Sequence, residues 1–295
     1  VRATFPAVST YIPALPSLLI SSQWKVEMIW LLVAAEILLA VVMAVGWFYQ
    51  RNARNAGWVD VFWTFGVGAA GILVALFPLE GGVPNARQWL VAALVAVWSL
   101  RLGLYIVFRV TGSAQEDLRY VNFRKEWGRD FQRKMFWFMQ RQAWGSIVLP
   151  LAILLAAQFP SSQLRVADFI GLAILAIGIF GEWIADRQLI AFKKDPANKG
   201  KICDVGLWSL SRHPNYFFEW VNWFAYPVMA IEFAGVYPQG FLALIAPALM
   251  YYVVAHGTGI PPLEAHMLRT RGDAFRKYQD RTRALIPFPK FGGGA

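Results

Sequence analysis

The chain has 295 residues, 57% of them hydrophobic and only 16% charged, with a formal net charge of +10. Soluble chains carry about 25% charged residues, so this composition excludes an ordinary soluble domain, a disordered chain and a collagen-like repeat. Cys203 is the single cysteine, which excludes a disulfide framework. The basic residues fall between apolar runs and form no solvated block, so they point to anionic lipid headgroups or an anionic ligand, not to nucleic acid.

In chain order, residues 1–26 contain Pro6, Pro13 and Pro16 and read as an external arm, not a signal peptide. Seven apolar runs follow, at about 27–49, 58–78, 89–108, 143–159, 166–186, 219–235 and 239–256. A bilayer core needs roughly 20 apolar residues per helix, and backbone donors in hydrocarbon must be satisfied within the segment. The expectation is an all-α polytopic membrane protein with a seven-helix bundle over 27–256, loops at 109–143 and 187–218, and a tail at 257–295 that completes a pocket. Lys and Arg number 23 on one side of this arrangement and four on the other. The positive-inside rule then puts the N-terminus outside and the C-terminus in the cytoplasm. Within 113–141, Leu118, Val121, Phe123, Trp127, Phe131 and Met135 alternate with Arg and Lys, the pattern of an interfacial helix.

Ionisable groups within spans are costly and usually functional; here they are Glu36, Asp60, Arg101, Glu182, Asp186, Glu219 and Glu232. Tyr105 follows Arg101 by four residues, Asp186 follows Glu182 by four, and Glu219 follows Asn215 by four, so each pair shares a helix face. Carboxylates, an arginine and a tyrosine gathered beside Lys- and Arg-rich loops are the layout of a pocket for a polyanionic cofactor. The plainer alternative is a set of interhelical salt bridges such as Asp60–Arg101. Glu36 and Glu232 receive no role.

Three motifs stand out. The first runs from Gly206 to Trp220 and contains Arg212-His213-Pro214-Asn215-Tyr216-Phe217 followed by Glu219; the second runs from His256 to Met267 and on to Phe288; the third is Gln115-Glu-Asp-Leu-Arg-Tyr120. Gly66-Val-Gly-Ala-Ala-Gly71 fits a dinucleotide fingerprint in letters, but no strand precedes it, so it reads as small residues for helix packing. His213, His256 and His266 lack metal-site spacing, and no metal is expected.

The Arg-His-Pro-Asn-Tyr-Phe block with its Glu, and the Gly, Tyr and Ile-Pro-Phe tail, resemble the steroid 5-alpha-reductase C-terminal domain. Within that group, Glu-Asp-Leu-Arg-Tyr and His-Gly-Thr-Gly-Ile-Pro-Pro-Leu-Glu resemble the bacterial domain-of-unknown-function 1295 family, over about residues 57–288. The resemblance implies seven helices around NADPH entering from the cytosol, in a bacterial inner membrane. It also implies a carboxylate and a tyrosine that polarise an enone carbonyl. Asp60, which would have to carry or share a proton, resembles that carboxylate. Trp98 stands where the family has its tyrosine, which leaves Tyr105, one turn beyond Arg101, as the substitute.

Arg101, Asp186, Lys193, Asn215 and Glu219 resemble cofactor-holding positions, and Glu182 stands where the steroid enzymes have Asn. Arg109, Arg119, Lys201, Arg212, His256 and Tyr278 are further candidates for phosphate, ribose or adenine contacts. Isoprenylcysteine and phospholipid methyltransferases share a similar block, and sterol C14 and C7 reductases are further relatives. The expected activity is therefore NADPH-dependent reduction of an activated C=C bond in a lipidic substrate, steroid-like, isoprenoid or acyl. The alternative is S-adenosylmethionine-dependent methylation of a lipid or prenyl-cysteine. A transporter is disfavoured because there is no inverted repeat.

Overall fold

A computed structural model describes residues 22–79, 81–113, 115–161 and 163–290. Most of the expected external arm and the glycine-rich C-terminal end lie outside these residues. The described chain is helical throughout, with no strand among the described residues. The helices are α1 (Ser22–Ala53), α2 (Trp58–Leu76), α3 (Ala86–Thr111), α4 (Leu118–Trp127), α5 (Phe131–Ser146), α6 (Val148–Ala157) and α7 (Val166–Lys194). They continue with α8 (Leu207–Leu210), α9 (Pro214–Asn222), α10 (Ala225–Ala230), α11 (Ile245–Ala255), α12 (Ile260–Arg271) and α13 (Asp273–Arg281).

Among the described residues, five stretches are long and apolar enough to cross a membrane: Gln23–Ala53, Trp58–Leu76, Ala86–Thr111, Val166–Lys194 and Pro238–Arg271. The expected fourth and sixth spans are not single helices, and proline is the reason. Pro150 has no N–H to give the carbonyl of Ser146, and the chain breaks between α5 and α6 at Ile147. Pro227 stands in the same relation to Trp223, and α9 gives way to α10 there. Pro247 marks the passage from a 3-10 turn at Pro238–Leu244 into α11. The expected interfacial helix is likewise two pieces, α4 and α5, separated where Gly128 adopts φ 51°. The last of the five stretches takes in both α11 and α12.

Helix α6 is the axis of the core, with Ala152, Ile153, Leu154, Ala156 and Ala157 fully buried. One face of α1 (Ile29, Trp30, Ile37, Phe48) stays exposed, as a lipid-facing surface would. The glycine run of α2 is a contact face: a Cβ on Gly68 would collide with the Ser99 side chain of α3, and one on Gly71 would lie 2.8 Å from Ile153 and 2.9 Å from Val95. Asn85 starts α3 with a capping box, accepting from the backbone N–H groups of Arg87 (2.9 Å) and Gln88 (3.1 Å) while the Gln88 side chain accepts from its own (2.9 Å). Near that start Arg87 lies fully buried against Asp168 of α7 at 2.8 Å.

Candidate functional site

At the other ends of α3 and α7 the ionisable residues converge. Asp60 lies in the first turn of α2, and the Glu116-Asp-Leu-Arg-Tyr120 segment folds over it. Asp117 caps α4 by accepting the Arg119 backbone N–H at 3.0 Å. This aims the next two side chains: Arg119 donates to Asp60 Oδ2 at 2.5 Å, and the Tyr120 hydroxyl donates to Asp60 Oδ1 at 2.8 Å. Arg109 stands 3.6 Å from Asp60 and 3.7 Å from Asp117. Burial alone would raise the Asp117 carboxyl, but the Arg119 guanidinium outweighs it and holds the group below the ordinary carboxylate range. Glu116 ties the motif to the chain before α2 by accepting the Ala56 N–H at 2.7 Å. The Asp60–Arg101 bridge of the plainer alternative is not formed: Asp60 belongs to Arg119 and Arg109.

Arg101 pairs instead with Glu182 and Asp186 of α7, the latter at 2.6 Å. Tyr105 lies one turn on, with the Arg101 guanidinium 5.6 Å from its ring centre and its hydroxyl toward Asp186. Asn215 donates to Asp186 at 3.3 Å. Glu219 accepts from the indoles of Trp98 (3.0 Å) and Trp223 (3.1 Å) and from Asn222 (3.3 Å). The indole at the family's tyrosine position is thus committed to Glu219. Two glycines make this convergence possible. A Cβ on Gly178 would strike Asn222, and one on Gly181 would strike Phe218, so α9 can press onto α7 and bring Glu219 beside Glu182. The second carboxylate oxygen of Glu182 is buried without a donor among the described residues.

The first motif closes the far wall. Arg212 donates to Glu264 at 2.7 and 3.1 Å and to the backbone carbonyls of Gln279 and Thr282. His213 meets the same carboxylate at 3.0 Å, and Gln279 donates to it at 2.6 Å. Burial pushes the His213 imidazole below its usual range despite Glu264. The Tyr278 hydroxyl donates to the Trp208 carbonyl. Arg212 and Tyr278 therefore clasp α9, α12 and α13 together.

These walls enclose a cavity of about 590 Å³. Asp60, Tyr105, Arg109, Arg119, Glu182, Lys193, Lys201, Arg212, Asn215, Glu219 and Tyr278 line it, as sequence reasoning grouped them. Arg101 and Asp186 are not in the lining and act from behind it, through Glu182, Tyr105 and Asn215. His256 is not brought in: it is exposed and packs beside Tyr251 and Tyr252. Sequence reasoning missed Lys199 and Arg271 at the cavity and Tyr216 in its wall. Tyr216 was visible inside the first motif, next to the chosen Asn215.

The family described as "Protein of unknown function (DUF1295)" matches residues 46–282. A stretch of 46 residues is 48% identical to the probable O-methyltransferase ustE of Ustilaginoidea virens; it covers 16% of this chain and 16% of that protein. No solved structure matches the chain.

Proposed function

The chain belongs to the DUF1295 family, which is steroid 5-alpha-reductase-like, and from that footing we propose that it is an NADPH-dependent membrane reductase of an activated C=C bond in a lipidic substrate. One observation carries the reading. Lys193, Lys199, Lys201 and Arg271 line the cavity, are exposed, and form no ion pair among the described residues. Free cations at one mouth suit a ligand with several phosphates, and a phosphate-free methyl donor needs none of them.

The remaining residues fit the nucleotide as well. Glu182 and Asn215 line the cavity and bring a carboxylate and an amide, groups suited to a carboxamide, and the cavity falls in the usual range of about 300–1,000 Å³ for small-molecule sites. Bound there, NADPH would supply the hydride. The protein's part is to hold the reactants, to exclude water with Leu102, Ile106, Phe192 and Met250, and to aim donors at the substrate oxygen. Both Asp60 oxygens already accept hydrogen bonds, so in this reading Asp60 acts by fixing Arg119 and Tyr120. The cavity offers Tyr105 and Tyr216 as phenols for the oxygen. A preorganised donor at such a position is worth about 3 kcal/mol. In this proposal the mouth faces the cytoplasm across a bacterial inner membrane, and the substrate comes from the bilayer.

Thermal unfolding of the detergent-purified chain tests the reading. NADPH should raise the melting temperature and S-adenosylmethionine should not; stabilisation by the methyl donor alone overturns the proposal. Methyl transfer is the second reading, favoured by the stretch shared with a probable O-methyltransferase and by three carboxylates sharing Arg101, a surplus that suits a cationic sulfonium.

A further inference from the structure

We infer that Tyr216, together with Arg119, is the donor pair that receives a ligand's negatively charged oxygen in this cavity, and that Tyr105 is not. The inference deepens the reductase reading, on which it rests for the nature of that oxygen, an enone carbonyl moving toward an enolate. Three tyrosines line the cavity: Tyr105, Tyr216 and Tyr278. The Tyr278 hydroxyl is spent on the Trp208 carbonyl. The other two differ in what their hydroxyls and their neighbours already hold.

The Tyr105 hydroxyl faces Asp186, with Arg109 and then Glu182 as the next charged groups. Those carboxylates are paired with Arg101, but the Tyr105 hydroxyl is already engaged by Asp186 and has no second proton to give a ligand oxygen. The charged groups that act most strongly on Tyr216 are Arg119 and Arg109, ahead of Asp60 and Asp117, and both carboxylates are already paired with those guanidiniums. Negative charge arriving beside Tyr216 therefore meets cations first.

The donors at that spot are also uncommitted. The Tyr216 hydroxyl makes no hydrogen bond among the described residues, and Arg119 spends Nε and Nη2 on Asp117 and Asp60 while Nη1 has no partner. Neither group is among the buried polar atoms lacking a partner, so each is accessible, and both residues line the cavity. The Tyr216 ring is fixed as a preorganised donor requires: it stacks on His213 with centroids 5.7 Å apart and planes 11° from parallel, and it packs on the Val254, Ile260 and Leu285 cluster. His213 is in turn held by Glu264.

The test needs neither cofactor nor turnover. The full chain in detergent is titrated with 4-nitrophenolate, a stable oxyanion, and with nitrobenzene, its neutral counterpart of similar shape. Wild type should prefer the oxyanion, Tyr216→Phe should reduce that preference by about tenfold or more, and Tyr105→Phe should leave it unchanged. A preference that survives Tyr216→Phe, falls with Tyr105→Phe, or is missing from wild type overturns the inference. Should Tyr216→Phe fold poorly, a fluorinated tyrosine at 216 replaces it. It is a stronger donor and should shift the bound nitrophenolate absorption, whereas the same residue at 105 should not; the reverse pattern overturns the inference. NADPH binding is measured separately, so an oxyanion site without nucleotide affinity sinks the reductase reading alone.

Discussion

Helices α3 and α7 meet in two arginine–acid pairs, Arg87–Asp168 and Arg101–Glu182, each fourteen residues apart along its helix, about 21 Å at 1.5 Å per residue. Their surroundings differ in kind. Arg87 and Asp168 are both fully buried, and Arg87 also donates to the carbonyls of Phe159 (3.2 Å), Ser161 (2.9 Å) and Gln163 (2.6 Å). Asp168 further accepts the Arg165 backbone N–H at 2.6 Å. The protein itself completes that pair. Arg101 instead faces Glu182 and Asp186 together, and Glu182 and Tyr105 beside it open onto the cavity. A buried pair that the fold completes is structure, and charged groups gathered at a cavity wall are where a site is to be sought.

Substitutions at the two ends should therefore fail differently. Arg87→Met strands the Asp168 carboxylate and should cost about 3–5 kcal/mol, read as a large fall in melting temperature in detergent. The folded remainder should keep its response to NADPH. Loss of that response at an unchanged melting temperature would erase the distinction between the ends. Asp60→Asn releases Arg119 from one of its two carboxylates, and turnover should drop by about a hundredfold, the scale of one misplaced donor, while NADPH binding persists. Turnover near the wild-type rate would remove Asp60 from the catalytic reading.

The mouth gives a smaller and more graded effect. Each exposed cation–phosphate contact is worth roughly 0.2–1 kcal/mol, so Lys193→Ala, Lys199→Ala and Lys201→Ala combined should weaken NADPH binding by about tenfold. Added salt should narrow the gap between the variant and wild type. Equal affinity at low salt would take the phosphates away from these lysines.

Helix periodicity made much of this visible, because spacing of four sets Tyr105 beyond Arg101 and Asp186 beyond Glu182 on shared faces. It does not say which helix each face meets. The plainer alternative therefore pairs Asp60 with Arg101, although its partner Arg119 returns from α4; the third motif marks Arg119 as a candidate without saying which side chain it meets. The Trp98–Glu219 contact joins α3 to α9 across 121 positions, a separation that no local pattern encodes. The prolines behind the helix breaks were in plain sight, but runs judged by length and hydropathy alone pass over a missing N–H. Tyr216 escaped for another reason: its worth lies in which charges surround it, and the cations among them come from α3 and α4.

Acid sensitivity should also sort by end, with the smallest effect of the set. All three histidines, His213, His256 and His266, lie beyond residue 200, and only His213 is both buried and held, by Glu264. Burial lowers its folded-state pKa below the unfolded value of about 6.5, so the unfolded chain binds the proton more readily. Stability from neutral His213 is then complete above about pH 6.5 and falls as pH drops below it, by at most about 1.4 kcal/mol for each unit of depression. His213→Gln keeps a donor toward Glu264 but cannot titrate, so its melting temperature should fall less steeply than that of wild type over that interval. His256→Gln, at an exposed position outside the cavity, should retain the wild-type slope; if it flattens the slope instead, the acid response belongs to the surface and not to the wall of the cavity.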